Sequence, residues 1–145
     1  MTDNYPNAAF IRRFAAMLYD SFLLVALWMM TTTIIVAFFN NGDPVEGFWF
    51  QMLLYLEVLL FYFVFWRIKG QTLGMQVWKI RALDNEGNIM RPSQCVMRFL
   101  AATMSLALLG LGFLWILVNK DRLAWHDMLS DSHVVYLGPK PYESP

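Results

Sequence analysis

The chain has 145 residues, 58% of them apolar and 17% aromatic, with 11 lysines and arginines against 11 aspartates and glutamates. That is too apolar for a water-soluble domain of this length; the balanced net charge says nothing about partners, and no nucleic-acid partner is expected. One cysteine, Cys95, excludes an intramolecular disulfide and a multi-cysteine metal centre.

The expected class is an all-α membrane protein, a single domain over residues 1–145 with hydrophobic helices at about 10–39, 46–66 and 94–118. Ser21 to Phe39 carries no charge, Phe48 to Trp66 carries only Glu57, and Phe99 to Val118 carries none. The first run is too long for a secretory signal and no small-x-small cleavage pattern follows it, so it is read as retained. Asn40-Asn41-Gly42-Asp43-Pro44 ends the first helix, and so short a connection makes the second helix its antiparallel neighbour. Residues 40–47 contain no lysine or arginine, whereas 67–98 contain Arg67, Lys69, Lys79, Arg81, Arg91 and Arg98. The positive-inside rule therefore places the N-terminus and the long loop in the cytoplasm.

The cytoplasmic loop, 67–93, has its own local signals. Gly70-Gln71-Thr72 is a turn with Thr72 as N-cap, and LGMQVWKI follows as a short interfacial helix. KIRAL and NIMR flank the turn residues Asp84 to Gly87, which predicts a small β-hairpin. Pro92-Ser93 starts the third helix, with Ser93 as its cap. Two courses are open to that helix. A full span would leave Lys120, Arg122 and Lys140 outside, against the charge rule; a break at Gly110-Leu111-Gly112 would make a re-entrant hairpin and return the polar segment 119–145 to the cytoplasm.

Charges inside the apolar runs are the candidate functional residues, because a carboxylate at helix depth costs on the order of 3 kcal/mol even on lenient insertion scales. Arg13 and Asp20 lie seven apart on one helical face, about 10 Å along the axis, too far to pair directly. Each needs a partner from another segment. Cross-helix hydrogen bonds from Tyr, Ser, Thr or Arg would make Asp20 structural; otherwise it handles a proton or cation. Glu57 sits midway along its helix, roughly 13 Å from either end, and poses the same choice. Arg12 reads as an anchor at the membrane surface.

The tail gathers Lys120, Asp121, Arg122, His126, Asp127, Asp131 and His133. A metal site from His126, Asp127 and His133 has suitable ligand types but no regular spacing, and His126-Asp127 lacks the further ligands of a metal phosphohydrolase. The reading adopted is an amphipathic interfacial segment ending in a short strand, HVVYL, whose charges pair locally or with Arg12 and Arg13. Neither metal nor cofactor is expected.

Taken in order, Arg13, Asp20, the GQTLG turn, IRALDNEG, Arg98 at the entry to the third helix, GLGFLW and WHDMLSDSHVV resemble the RDD family, small bacterial membrane proteins named for one arginine and two aspartates. The likeness runs from about Ala9 to Val135. It implies Arg13 as the family arginine, Asp20 and Asp127 as its aspartates, and Gly70, Thr72 and Gly74 as its Gly-x-Thr-x-Gly turn. Many members carry lysine where this chain has Met75. Glu57 is not a residue of the family pattern.

Two function classes follow. The resemblance implies a bacterial inner-membrane protein, and some members are linked to sodium/proton exchange. In that class Asp20 and Glu57 would bind a monovalent cation or proton under the field of Arg13, and three helices would need a homo-oligomer to enclose a path. The alternative is a non-enzymatic assembly protein in which Arg13, Asp20 and Asp127 form a structural charge network, with membrane lipids and protein neighbours as partners. No nucleophile with a base and no phosphate loop is present in the sequence, so an enzyme is not expected.

Overall fold

A computed structural model describes residues 5–139. Helix α1 (Phe10–Phe39) is unbroken for 30 residues, about 45 Å, because no glycine or proline interrupts its apolar run. It stops at Asn40, where Asn41 takes φ 51° and the Gly42 N–H bonds back to the Val36 carbonyl at 2.9 Å. Helix α2 (Phe48–Lys69) begins after Gly47, two residues later than expected, and extends to Lys69. Gly70 closes it in the left-handed conformation (φ 66°), its N–H bonded to the Trp66 carbonyl. A side chain there would be strained and would also meet the Ala82 carbonyl oxygen. Both helices are long and apolar enough to cross a membrane, and their large apolar side chains, such as Phe22, Met29, Phe38, Trp49 and Leu60, face outward.

The connecting segment folds into a compact unit between the near ends of these helices. Thr72 caps the short helix α3 (Leu73–Val77), its Oγ1 accepting from the Met75 N–H at 3.2 Å. Strand β1 (Ile80–Asp84) follows. Its expected hairpin with NIMR does not form. The turn is present, with Asp84 Oδ1 accepting from the Glu86 and Asn88 N–H groups, but the chain then leaves the ladder for helix α4 (Pro92–Ala107). The partner is strand β2 (Ser132–Tyr136), antiparallel with Ile80 opposite Tyr136 and Ala82 opposite Val134. HVVY offers two adjacent valines, both buried, whereas the single β-branched residue of NIMR, Ile89, stays exposed. The start of α4 also differs from expectation. Pro92 takes the first helical position, where its missing N–H costs nothing, so Arg91 rather than Ser93 is the cap, and Gln94 Oε1 accepts from the Arg91 N–H.

The third hydrophobic segment is not one straight span. After α4 the backbone turns through Leu109 (φ 56°) and Gly110 (φ 75°) into α5 (Leu111–Leu114) and a 3-10 turn at Trp115–Leu117, bent 107° from α4. Gly112 sits against Ser105 and Trp125, with no room for a β-carbon. A final short helix, α6 (Trp125–Leu129), leads into β2. Strand β2 therefore lies beside the segment that precedes α1: the Ala8 N–H bonds to the Val134 carbonyl at 2.8 Å, and the Tyr136 N–H to the Pro6 carbonyl at 2.9 Å. This excludes a tail on the far side of the long helices. Lys140, part of the charge argument for the tail, lies outside the described residues.

Helix α1 packs chiefly on α3, and α2 on α4, rather than on each other. Trp28 Nε1 donates to the Leu54 carbonyl and Thr31 Oγ1 to Glu57 Oε1, and these bonds tie α1 to α2. The buried core lies below them, around Ala16, Trp66, Met75, Ile80, Ala82, Met90, Cys95 and Phe99.

Candidate functional site

Two carboxylates at the junction of α1 with the small unit are almost wholly buried, and each is engaged by a different segment. Asp127, in the first turn of α6, is fully buried. Arg13 Nη1 donates to its Oδ2, the Ala124 N–H donates to the same oxygen at 3.0 Å, and Arg98 Nη2 lies 2.6 Å from Oδ1. The second hands of both guanidinium groups are also used. Arg13 donates to the carbonyls of Ala8 (3.1 Å), Arg122 (3.0 Å) and Val134 (3.3 Å), and Arg98 Nη1 to Ser132 Oγ at 2.6 Å. One side chain from α1, one from α4 and one from α6 thus meet around a single negative charge. Planar guanidinium groups suit this task because each reaches several acceptors at once.

Electrostatics in this cluster are set by burial and by the two cations. Burial alone would raise the Asp127 pKa, but Arg98 and then Arg13 hold it well below the usual carboxylate range. His126, with Nε2 3.6 Å from Asp127 Oδ1, is driven the other way: burial first and then Arg98 push its pKa from 6.5 down to about 3, so it stays neutral. Its ring stacks on Phe113. A pH dependence follows. Between pH 6.5 and about 3 the unfolded chain carries a proton on His126 that the folded chain refuses, so stability falls as pH drops through that window. Asp127, depressed in the fold, contributes stability above the ordinary carboxylate pKa that is lost only below it. His126→Gln is therefore expected to flatten the loss of stability between pH 6.5 and 4.5 and leave the steeper loss below pH 4, read as unfolding midpoints in detergent across that range. An unchanged slope in the variant would assign the acid sensitivity elsewhere.

Asp20, two turns further along α1, does not join this cluster. Its Oδ2 accepts from Thr72 Oγ1 at 2.5 Å and its Oδ1 from the Gly74 N–H at 2.8 Å. The Gly-x-Thr-x-Gly turn is built for that carboxylate. Gly70 ends α2, Thr72 caps α3 with one lone pair while donating its proton to Asp20, and Gly74 presents a bare N–H. A β-carbon on Gly74 would lie 2.9 Å from Asp20 Oδ1 and closer still to the Ala16 carbonyl.

The remaining candidates are dispersed. Glu57 meets Thr31, not Asp20. Arg12, pointing away from the cluster, lies over the Tyr136 ring at 4.0 Å and donates to the Trp78 carbonyl. Among the described residues no three His, Cys, Asp or Glu side chains come together to hold a metal ion. The sequence did not single out Ser132, which takes an Arg98 hydrogen bond, or Ser130, which bonds Ser132 at 2.6 Å. Their signal was weak: two serines beside a strand look like ordinary turn residues. Arg98 is already marked in the sequence, as the arginine at the entry to the third helix.

A cavity of about 700 Å³ opens between α1, α2 and α4 above this junction, with Arg13, Asp20, Arg98 and His126 on its floor and Trp28, Leu54, Val58 and Phe99 among its apolar walls.

Comparison with curated proteins returns no match, and comparison with solved structures returns none. The family model of the RDD family matches residues 7–131. That range takes in Arg13, Asp20, the Gly70–Gly74 turn and Asp127, and together with the two membrane-length helices it makes the protein a multi-pass integral membrane protein that belongs to the RDD family.

Proposed function

We propose that the protein is a non-enzymatic assembly or scaffold protein of the inner membrane, in which Arg13, Asp20 and Asp127 fasten α1 to a rigid cytoplasmic platform made of α3, β1, α6 and β2. One observation carries this reading: three of the four oxygens of Asp20 and Asp127 accept hydrogen bonds from Thr72, Gly74, Arg13 and Ala124, and the fourth, Asp127 Oδ1, is ion-paired with Arg98 at 2.6 Å. A carboxylate that relays ions must exchange its ligands, and these have internal donors at hydrogen-bonding distance. The charge distribution supports a cytoplasmic platform. The basic residues from Arg67 to Arg98, with Lys120 and Arg122 of the returning tail, share the end of the molecule that holds Arg12 and Arg13, while the opposite turn at 40–47 has none.

A second reading, cation/proton exchange by a homo-oligomer, is favoured by the position of Asp20 on the cavity floor. The two separate on one experiment. Vesicles containing the protein and a pH dye are given sodium, lithium or potassium pulses, with wild type compared against Asp20→Asn and Glu57→Gln. The scaffold reading expects no cation-driven proton flux from folded protein. Flux that Asp20→Asn abolishes without unfolding the protein would establish the exchanger instead.

A further inference from the structure

The cavity is apolar on its walls and has an unsatisfied polar corner. Trp66 Nε1, Arg98 Nε, Ser105 Oγ and His126 Nδ1 are all buried, all belong to residues lining the cavity, and none has a hydrogen-bond partner. The residues themselves are 7%, 4%, 2% and 7% exposed. A buried polar group without a partner costs roughly 1–3 kcal/mol, so four around one cavity call for an occupant that satisfies them. Arg98 stands at the centre of the set. Its guanidinium lies 5.4 Å from the Trp66 ring centroid and shares Asp127 Oδ1 with His126. Ser105 is two turns along α4, about 10 Å toward the interior of the cavity.

The chemistry of the corner selects the occupant. Trp66 Nε1 and Arg98 Nε can only donate, so they want an acceptor, and the Arg98 charge favours an anionic one. Local charge agrees: among the described residues Arg13 and Arg98 face a single carboxylate, Asp127, and Asp20, the other acid on the floor, is already occupied by Thr72 and Gly74. With the Nε2 of neutral His126 facing Asp127, its Nδ1 is left as an acceptor and wants a hydroxyl. The volume, about 700 Å³, is that of a small-molecule site. A membrane-spanning helix about 10 Å across and 30 Å long fills on the order of 2,000 Å³ and does not fit.

We propose that this cavity is a binding site for one anionic phospholipid with a hydroxyl-bearing headgroup, entering from the bilayer between α1 and α2. The phosphate sits at Arg98 and Trp66, a headgroup hydroxyl at His126 Nδ1, an ester carbonyl at Ser105 Oγ, and the upper part of one acyl chain along Leu54, Val58 and Leu24; the rest of the lipid stays in the bilayer, so the enclosed part suits the cavity. This stands whether or not the protein moves ions, since the atoms it uses, Trp66 Nε1, Arg98 Nε, Ser105 Oγ and His126 Nδ1, are employed by neither reading of its function.

The test is native mass spectrometry of the full-length, delipidated protein titrated with phosphatidylglycerol, phosphatidylcholine or glycerol phosphate. Arg98 is left intact because it holds Asp127. Trp66→Phe and Ser105→Ala each remove one donor and little volume, and Ala102→Leu fills the cavity. Phosphatidylglycerol is expected to bind at one per chain, at least tenfold tighter than phosphatidylcholine. Trp66→Phe should weaken it on the order of tenfold, the worth of one hydrogen bond to a charged group, and Ser105→Ala by roughly fivefold, that of one to a neutral ester; Ala102→Leu should abolish it, with all three variants keeping the wild-type circular dichroism. Equal retention of the two lipids, or phosphatidylglycerol binding unchanged in all three variants, would overturn the proposal. Glycerol phosphate binding as tightly as the lipid would make the site one for a free anion and overturn it as well.

Discussion

Asp127→Asn is expected to cost about 3–5 kcal/mol of stability, the usual effect of removing one partner from a buried ion pair. The variant keeps the shape of the side chain and one carbonyl acceptor, so packing changes little. What it removes is the one carboxylate that, among the described residues, lies between these two buried guanidinium groups. Arg13 and Arg98 are 5% and 4% exposed, so water cannot replace the lost counter-charge. Because domains of this size are stable by only about 5–15 kcal/mol, the midpoint of unfolding in mild detergent should fall sharply. A loss below about 1 kcal/mol would mean that the cluster is solvated and is no lock.

Gly74→Ala is the second large effect. The added carbon meets the Ala16 backbone carbonyl on one side and the Asp20 carboxylate on the other, and neither is the free end of a flexible chain. Helix α3 must then move off α1, which lengthens the bonds from the Gly74 N–H and Thr72 Oγ1 to Asp20 together. Overpacking of this kind costs about 1–3 kcal/mol, and a buried carboxylate that loses its donors adds a similar amount. The expected loss is therefore about 3 kcal/mol or more, measured against Leu73→Ala next door, where the side chain is exposed and the cost should stay near 0.5 kcal/mol. Equal effects at the two positions would contradict the close approach of α1 and α3.

How much of this was legible in the sequence depended on how local the cause was. The two long helices, the turn at Asn40 to Pro44 and the Thr72 cap follow from residues within a few positions of each other, and they could be read directly. That Arg13 and Asp20 each required a partner from elsewhere was also legible, because seven residues of helix keep them apart. Which partner each took was not. Thr72 lies 52 residues from Asp20, and Asp127 lies 114 from Arg13, so only the folded chain pairs them. The hairpin shows the same limit. Asp84 makes the expected turn, but the strand that β1 accepts is decided by the return of the tail after the bend at Leu109-Gly110. That bend could be read only as one of two courses, since an apolar run of spanning length and a Gly-x-Gly break argue in opposite directions.

Arg13 and Asp127 act as one tie between α1 and the returning tail. A double-mutant cycle with Arg13→Gln and Asp127→Asn, unfolded in detergent at neutral pH, measures that tie directly. The double variant is expected to be more stable than the sum of the single losses implies, by about 2 kcal/mol, within the range for residues in one buried network. Additive losses, agreeing within about 0.5 kcal/mol, would contradict it.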